Sequence, residues 1–172
     1  MIRKINGFYY SLIPFNMGLD SASTTSTGVT YLSDVFVDQS VMEQGTTVRV
    51  KTLFRKGVVN NTTYNVQIYW NTGATINSTA VKLVEVSVSG STSAVGIERH
   101  ISTKTILGPI RSYATLLTGS TETDIGDVGT LYTNSPEFAY SNSGYFMATA
   151  SRTTNAKNLD SILCSYIYVD IY

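Results

Sequence analysis

The stretch TYNVQIYWN, residues 63–71, alternates without a break. Tyr64, Val66, Ile68 and Trp70 share one phase; Asn65, Gln67 and Tyr69 share the other. A two-residue period sends side chains to opposite faces of a strand, and aromatic and β-branched residues suit a pleated, half-buried surface. The stretch therefore predicts a strand with one face on a core. Upstream, TTVRVKTLF sets Val48, Val50, Thr52 and Phe54 against Arg49 and Lys51. Between the two, RKGVVNNT reads as a turn punctuated by Gly57 and the Asn60–Asn61 pair. Downstream, TGATINST is a loop, and AVKLVEVSVSG follows. There Val81 and Leu83 share one phase, while Val84, Val86 and Val88 share the opposite one. A β-bulge produces such a one-residue slip.

The pattern continues. AVGIERHIS places Val95, Ile97, Arg99 and Ile101 on one side and Glu98 and His100 on the other. IRSYATLLT and VGTLYT are weaker strands, and GYFMATASR is a strand opened by Gly144. The closing LDSILCSYIYVDIY, from Leu159 to Tyr172, is apolar on both phases. Leu163, Ile167, Val169 and Ile171 fall on one, and Ile162, Cys164, Tyr166 and Tyr168 on the other. Apolar residues on both phases predict a strand covered on both faces, central in the fold or lying between subunits. The runs from Asp20 to Thr30 and from Ser120 to Gly129 read as loops. Short strands at this spacing, separated by Gly, Asn and Ser turns, indicate a β-sandwich or barrel. The first 45 residues pattern less well. Their apolar NGFYYSLIPF predicts an N-terminal arm or an added strand pair packed on a domain spanning 46–172.

The chain of 172 residues fits one domain and can bury a core without staples. Its 12 basic and 12 acidic residues cancel, which argues against nucleic acid and against a polybasic membrane surface as partners. Charged residues are 14% of the chain, against roughly 25% in typical soluble domains. A surface so weakly charged does little to repel neighbours and suits a protein that lives in an assembly, or a very stable extracellular one. A single cysteine, Cys164, excludes an intrachain disulfide and reads as a small buried hydrophobe. The opening MIRKINGFYYSLIPFN lacks the apolar run and cleavage site of a signal peptide. The sequons at Asn60, Asn61 and Asn77 are then chance matches in an Asn-, Ser- and Thr-rich chain.

Little in the chain points to chemistry. His100 is the only histidine, and no G-x-S-x-G elbow accompanies it. A Cys164–His100 thiol pair competes with the simpler reading of Cys164 as packing. One His and one Cys cannot build a zinc site, so no metal and no cofactor is expected. TETDIGDVG holds Glu122, Asp124 and Asp127, but not at EF-hand spacing, and reads as a solvated turn. Glu85 and Glu98 fall on neighbouring predicted strands. They are the candidate carboxylate pair for glycoside hydrolysis, against the plainer reading of solvent-facing positions. The 12 tyrosines suit either sugar stacking or protein contact. Tyr9, Tyr10, Tyr69, Tyr132, Tyr140 and Tyr145 could serve either role. As contact candidates, Tyr9, Tyr10, Tyr69, Tyr166, Tyr168 and Tyr172 stand out.

Three segments resemble small jelly-roll domains of tailed-bacteriophage virions: TTVRVKTLFRKG, TYNVQIYWNTGATINSTAVKLVEVSV and ASRTTNAKNLDSILCSYIYVDIY. The resemblance is compositional. It implies an all-β, jelly-roll-like antiparallel β-sandwich, commonly a homotrimer, and it carries no catalytic motif. It implies a non-enzymatic structural protein of the virion, partnered by other virion proteins such as the major capsid protein. With no coiled-coil or collagen-like shaft in the chain, a capsid decoration or head-auxiliary role is expected over a tail tip. The alternative is a receptor- or carbohydrate-binding module whose partner is a host-surface glycan.

Overall fold

The computed structural model describes residues 2–5, 8–11, 29–39, 47–56, 63–88, 91–102, 111–118, 121–127, 142–152 and 162–171, with side chains for 29–39, 48–56, 63–88, 91–101, 142–152 and 162–170. Its strands are β1 (Ile2–Ile5), β2 (Phe8–Ser11), β3 (Thr30–Val37), β4 (Thr47–Lys56), β5 (Tyr64–Asn71) and β6 (Val81–Val88), followed by β7 (Ala94–Ser102), β8 (Arg111–Thr118), β9 (Thr121–Asp127), β10 (Gly144–Arg152) and β11 (Ile162–Ile171). They form a four-stranded sheet ordered β3-β10-β5-β6, a five-stranded sheet ordered β11-β4-β7-β8-β9, and the pair β1-β2. Every described pairing is antiparallel. The early strands β3 and β4 pair with the late strands β10 and β11, one pairing in each sheet. This winding makes the chain a jelly-roll-like antiparallel β-sandwich, as expected.

The core lies between the two sheets. Val66, Ile68, Trp70, Val84 and Phe146 face it from one side; Val48, Val50, Phe54, Ile97, Ile167 and Val169 face it from the other. Trp70 and Phe146 pack as tilted rings with centroids 4.7 Å apart. Each such side chain, fully buried, contributes roughly 1.5–3 kcal/mol. The β4 alternation stands as read: Val48, Val50, Thr52 and Phe54 are buried, while Arg49 and Lys51 face outward. The slip in β6 is a bulge. Ile68 opposes Val84 and Tyr69 opposes Lys82, which leaves Leu83 as the extra residue.

The structure bears on four expectations. First, β11 is an edge strand of the five-stranded sheet, hydrogen-bonded to β4 and not to a second described strand. Its two apolar phases come from a bulge. Cys164 opposes Phe54 and Tyr166 opposes Leu53, so Ser165 is the extra residue. Ile162 and Cys164 face the core before the slip, and Ile167 and Val169 face it after. Tyr166 and Tyr168 are left on the outer face. Second, TETDIGD, read as a loop, is strand β9, paired to β8 with a bulge at Gly126. Its acids are tolerated because β9 is an edge, where charge discourages further pairing. Third, the sandwich includes β3, whose Leu32, Val35 and Val37 are core residues. β3 thus joins the four-stranded sheet from within the first 45 residues, which the sequence reads as an arm or added strands packed on the domain. Residues 2–11 form the strand pair β1-β2, and β2 lies alongside β11. Fourth, Glu85 and Glu98 are not neighbours across a cleft. β6 and β7 belong to different sheets, and the two carboxylates lie on opposite outer faces.

Candidate functional site

The outer face of the four-stranded sheet is filled by its own polar side chains. The Thr149 hydroxyl donates to Gln67 Oε1 at 2.9 Å. Gln67 Nε2 donates to Glu85 Oε2 at 3.2 Å and to Ser151 Oγ at 3.3 Å. Lys82 Nζ closes the row on Glu85 at 2.6 Å. These residues meet because Thr149, Gln67 and Glu85 stand directly opposite one another on β10, β5 and β6. Gln67 and Thr149 are buried, as are Met147 and Tyr69 on the same face. Tyr69, a contact candidate, is thus enclosed within the chain. Tyr145 is half-buried against Phe36, ring centroids 5.1 Å apart.

The outer face of the five-stranded sheet is different. Register places Tyr168 on β11 opposite Lys51 on β4, and Lys51 opposite Glu98 on β7. The next row outward runs Tyr166, Leu53, Gly96. Gly96 has no side chain to fill its place in that row, and a depression of about 240 Å³ opens over it, lined by Lys51, Thr52, Gly96, Ile97, Glu98, Tyr166 and Tyr168. The Tyr166 and Tyr168 rings stand side by side on one flank, centroids 5.6 Å apart. Lys51 Nζ lies 5.8 Å from the centre of the Tyr168 ring, within cation–π range.

Several charges on this face are paired, and exposed Arg55, on the same face of β4, lies close enough to act on the Tyr166 hydroxyl. Lys51 Nζ donates to Glu98 Oε2 at 2.9 Å, and His100 Nε2 lies 2.6 Å from Glu98 Oε1. Arg49 Nε donates to Asp170 Oδ2 at 2.9 Å, and its Nη1 lies 3.8 Å from Glu98. Burial works to raise the Glu98 carboxyl, but hydrogen bonds from Lys51 and His100 outweigh it and hold the group below the ordinary carboxylate range. Burial likewise works to lower Lys51, and its hydrogen bonds to Glu98 and Tyr168 outweigh that, holding it above the ordinary lysine range. Both groups therefore stay charged through the neutral range. Burial raises the Tyr166 hydroxyl.

Cys164 is packing. Its thiol donates to the Tyr166 carbonyl at 3.1 Å across the bulge, and burial pushes it up to about 12, so it stays protonated and unreactive. It forms no pair with His100, which is bound to Glu98. Asn77 is occupied: its Oδ1 accepts from Asn71 Nδ2, from the Thr79 amide and from the Thr79 hydroxyl. Tyr9 and Tyr10 lie on β2, which runs beside β11, but their side chains fall outside the described residues, as do Tyr132, Tyr140, Asn60, Asn61 and Tyr172. Of the contact candidates, Tyr166 and Tyr168 are brought together and outward. The sequence reading passed over Gly96. The signal was there, since a lone glycine inside a strand pattern marks a bulge or a place where something approaches the backbone closely.

No family model and no curated protein matches the chain. Solved structures match it only at low similarity. An alginate lyase, A1-II′ of polysaccharide lyase family 7, is 13% identical with a TM-score of 0.36, over 97% of this chain and 84% of that one. The metal-free lectin I-B4 of Griffonia simplicifolia is 8% identical with a TM-score of 0.39, over 99% and 90%. The galectin LEC-6 of Caenorhabditis elegans is 8% identical with a TM-score of 0.20, over 83% and 92%.

Proposed function

We propose that this chain is a non-catalytic binding module that holds a saccharide on the outer face of its five-stranded sheet. The observation that carries the reading is the depression over Gly96, walled by Tyr166 and Tyr168 and edged by the Lys51–Glu98 pair. Tyrosine rings offer an apolar face to sugar C–H groups and a hydroxyl at the rim. A charged donor and acceptor side by side give directional hydrogen bonds to hydroxyls, at about twice the strength of neutral ones. Non-catalytic action is supported by Glu98 itself. A general acid needs a carboxyl raised toward neutrality, and this one is held down by its partners.

The test is a titration of labelled protein with a panel of oligosaccharides, followed by amide NMR. Shifts centred on Lys51, Gly96, Glu98 and Tyr168 are expected. No shift with any glycan contradicts the reading.

A second reading is a virion structural protein, a capsid decoration or head-auxiliary type that self-associates as a homotrimer on the particle. It is supported by the sequence resemblance, by the low charge, and by Val29 and Tyr31, which are 42% and 39% exposed at the start of the edge strand β3. Exposed apolar side chains on a sheet edge favour contact with another chain. Sedimentation should then show a concentration-dependent oligomer. A monomer at high concentration that does not bind capsids contradicts this role.

A further inference from the structure

We infer that Arg55 makes this site prefer an acidic saccharide: one sugar unit sits over Gly96, and a hexuronate next to it along β4 sets its carboxylate on the Arg55 guanidinium. This rests on the saccharide-binding reading. Size comes first. A hollow of about 240 Å³ is below the roughly 300–1,000 Å³ of deep ligand pockets, so it holds one unit of a chain that continues across the surface.

Register sets the direction. Along the outer face of β4 the residues run Arg49, Lys51, Leu53, Arg55, and the hollow is lined from the Tyr168–Lys51–Glu98 row and from Tyr166 and Gly96 of the next. Arg55 stands one row further, four residues or about 13 Å along the strand from Lys51. Its charge reaches the Tyr166 hydroxyl on the flank of the hollow. A unit over Gly96 therefore leaves its neighbour along β4 within reach of that long side chain.

Pairing sets the charge. Arg49 is held by Asp170, and Lys51 by Glu98. Arg55 is exposed, stands opposite Leu163 on β11 and Ala94 on β7, and is bonded to no carboxylate among the described residues. Along its row, register passes Leu117 of β8 and first meets an acid at Glu122 of β9. That position is three strand spacings or about 14 Å away, beyond a Debye length of about 8 Å. The planar guanidinium fork matches a carboxylate bidentately. The unit in the hollow still uses two adjacent hydroxyls, one accepting from Lys51 and the other donating to Glu98. The neighbouring carboxylate thus adds a contact and removes none.

The experiment compares linear tetrasaccharides of alternating hexose and hexuronate with the same chains carboxyl-reduced, so that only the charge differs. Each is titrated into wild type and Arg55→Gln at about 0.01 M and about 1 M salt, with thermal melts to verify folding. Wild type should bind the acidic member about fivefold more tightly at low salt, the upper end for a solvent-reached pair, and the advantage should vanish at high salt. Arg55→Gln should bind both members alike and hold the reduced chain as wild type does. Equal or weaker binding of the acidic member by wild type overturns the preference and leaves the saccharide reading in place. So does an undiminished acidic advantage in Arg55→Gln. Binding of neither member, with wild type folded, overturns both.

Discussion

Gly144 and Gly96 each stand in a nine-residue strand, β10 and β7, one in each sheet. A Cβ built on Gly144 would meet Trp70 Cζ2 at 2.5 Å and the Asn71 carbonyl at 2.6 Å. Nothing but glycine fits there. A Cβ on Gly96 would meet only the Thr52 carbonyl, at 3.9 Å, an ordinary contact. Glycine in a strand weakens it through lost packing and greater chain entropy. The sandwich does not need Gly96, so the residue costs stability and gives in return a hollow on the surface. The two outer faces repeat the contrast. One is closed by the Thr149–Gln67–Glu85–Lys82 row, and the other is open above Gly96.

The contrast is most easily broken at Gly144. Gly144→Ala forces Trp70 or the β5 backbone to move, and overpacking of this kind costs about 3 kcal/mol. For a chain of this size that is a fall of roughly 10 °C in melting temperature, readable by calorimetry. A melting point within about 2 °C of wild type would mean that the strand end yields easily.

Gln67→Leu should cost less, about 2 kcal/mol, by stranding the Thr149 hydroxyl and taking the amide from Glu85 and Ser151. Urea unfolding measures it, and a neutral result would show that the row adds no stability.

Glu98→Gln should cost under about 1 kcal/mol at neutral pH, because the pairs are solvent-reached. Its signature is pH dependence. The folded Glu98 carboxyl lies below its unfolded value of about 4.3. Its contribution is therefore complete above that pH and is lost as the pH falls through the folded value. The stability gap between wild type and variant should close as the pH falls below the unfolded value and through the folded one. A constant gap across that range would show that Glu98 gains nothing from its partners.

Most of the framework was legible from alternation alone. Val48, Val50 and Phe54, and the slip at Leu83, read directly because each strand has one core face. β11 misled for the same reason that β6 did not. In β6 the slip separates two runs of aliphatic residues. In β11 the tyrosines past Ser165 look as apolar as the isoleucines they replace, so a bulge passes for burial on both sides. β9 misled because Asp and Gly are turn residues in sequence, yet an edge strand tolerates both. Glu85 and Glu98 looked adjacent because sequence gives strand order and not sheet membership. The site was the least legible part, since its defining feature is an absent side chain set between partners from three strands.

The central claim is that Gly96 serves the surface and not the fold, and Gly96→Thr tests it most directly. Threonine suits a strand, and the substitution should leave stability equal to wild type or above it by about 0.4–1 kcal/mol, with a melting temperature no lower than wild type. It should also abolish the saccharide-induced amide shifts at Lys51 and Tyr168. A variant that melts well below wild type would make Gly96 a structural residue like Gly144. One that folds normally and binds saccharide as wild type does would show that the hollow is not the site.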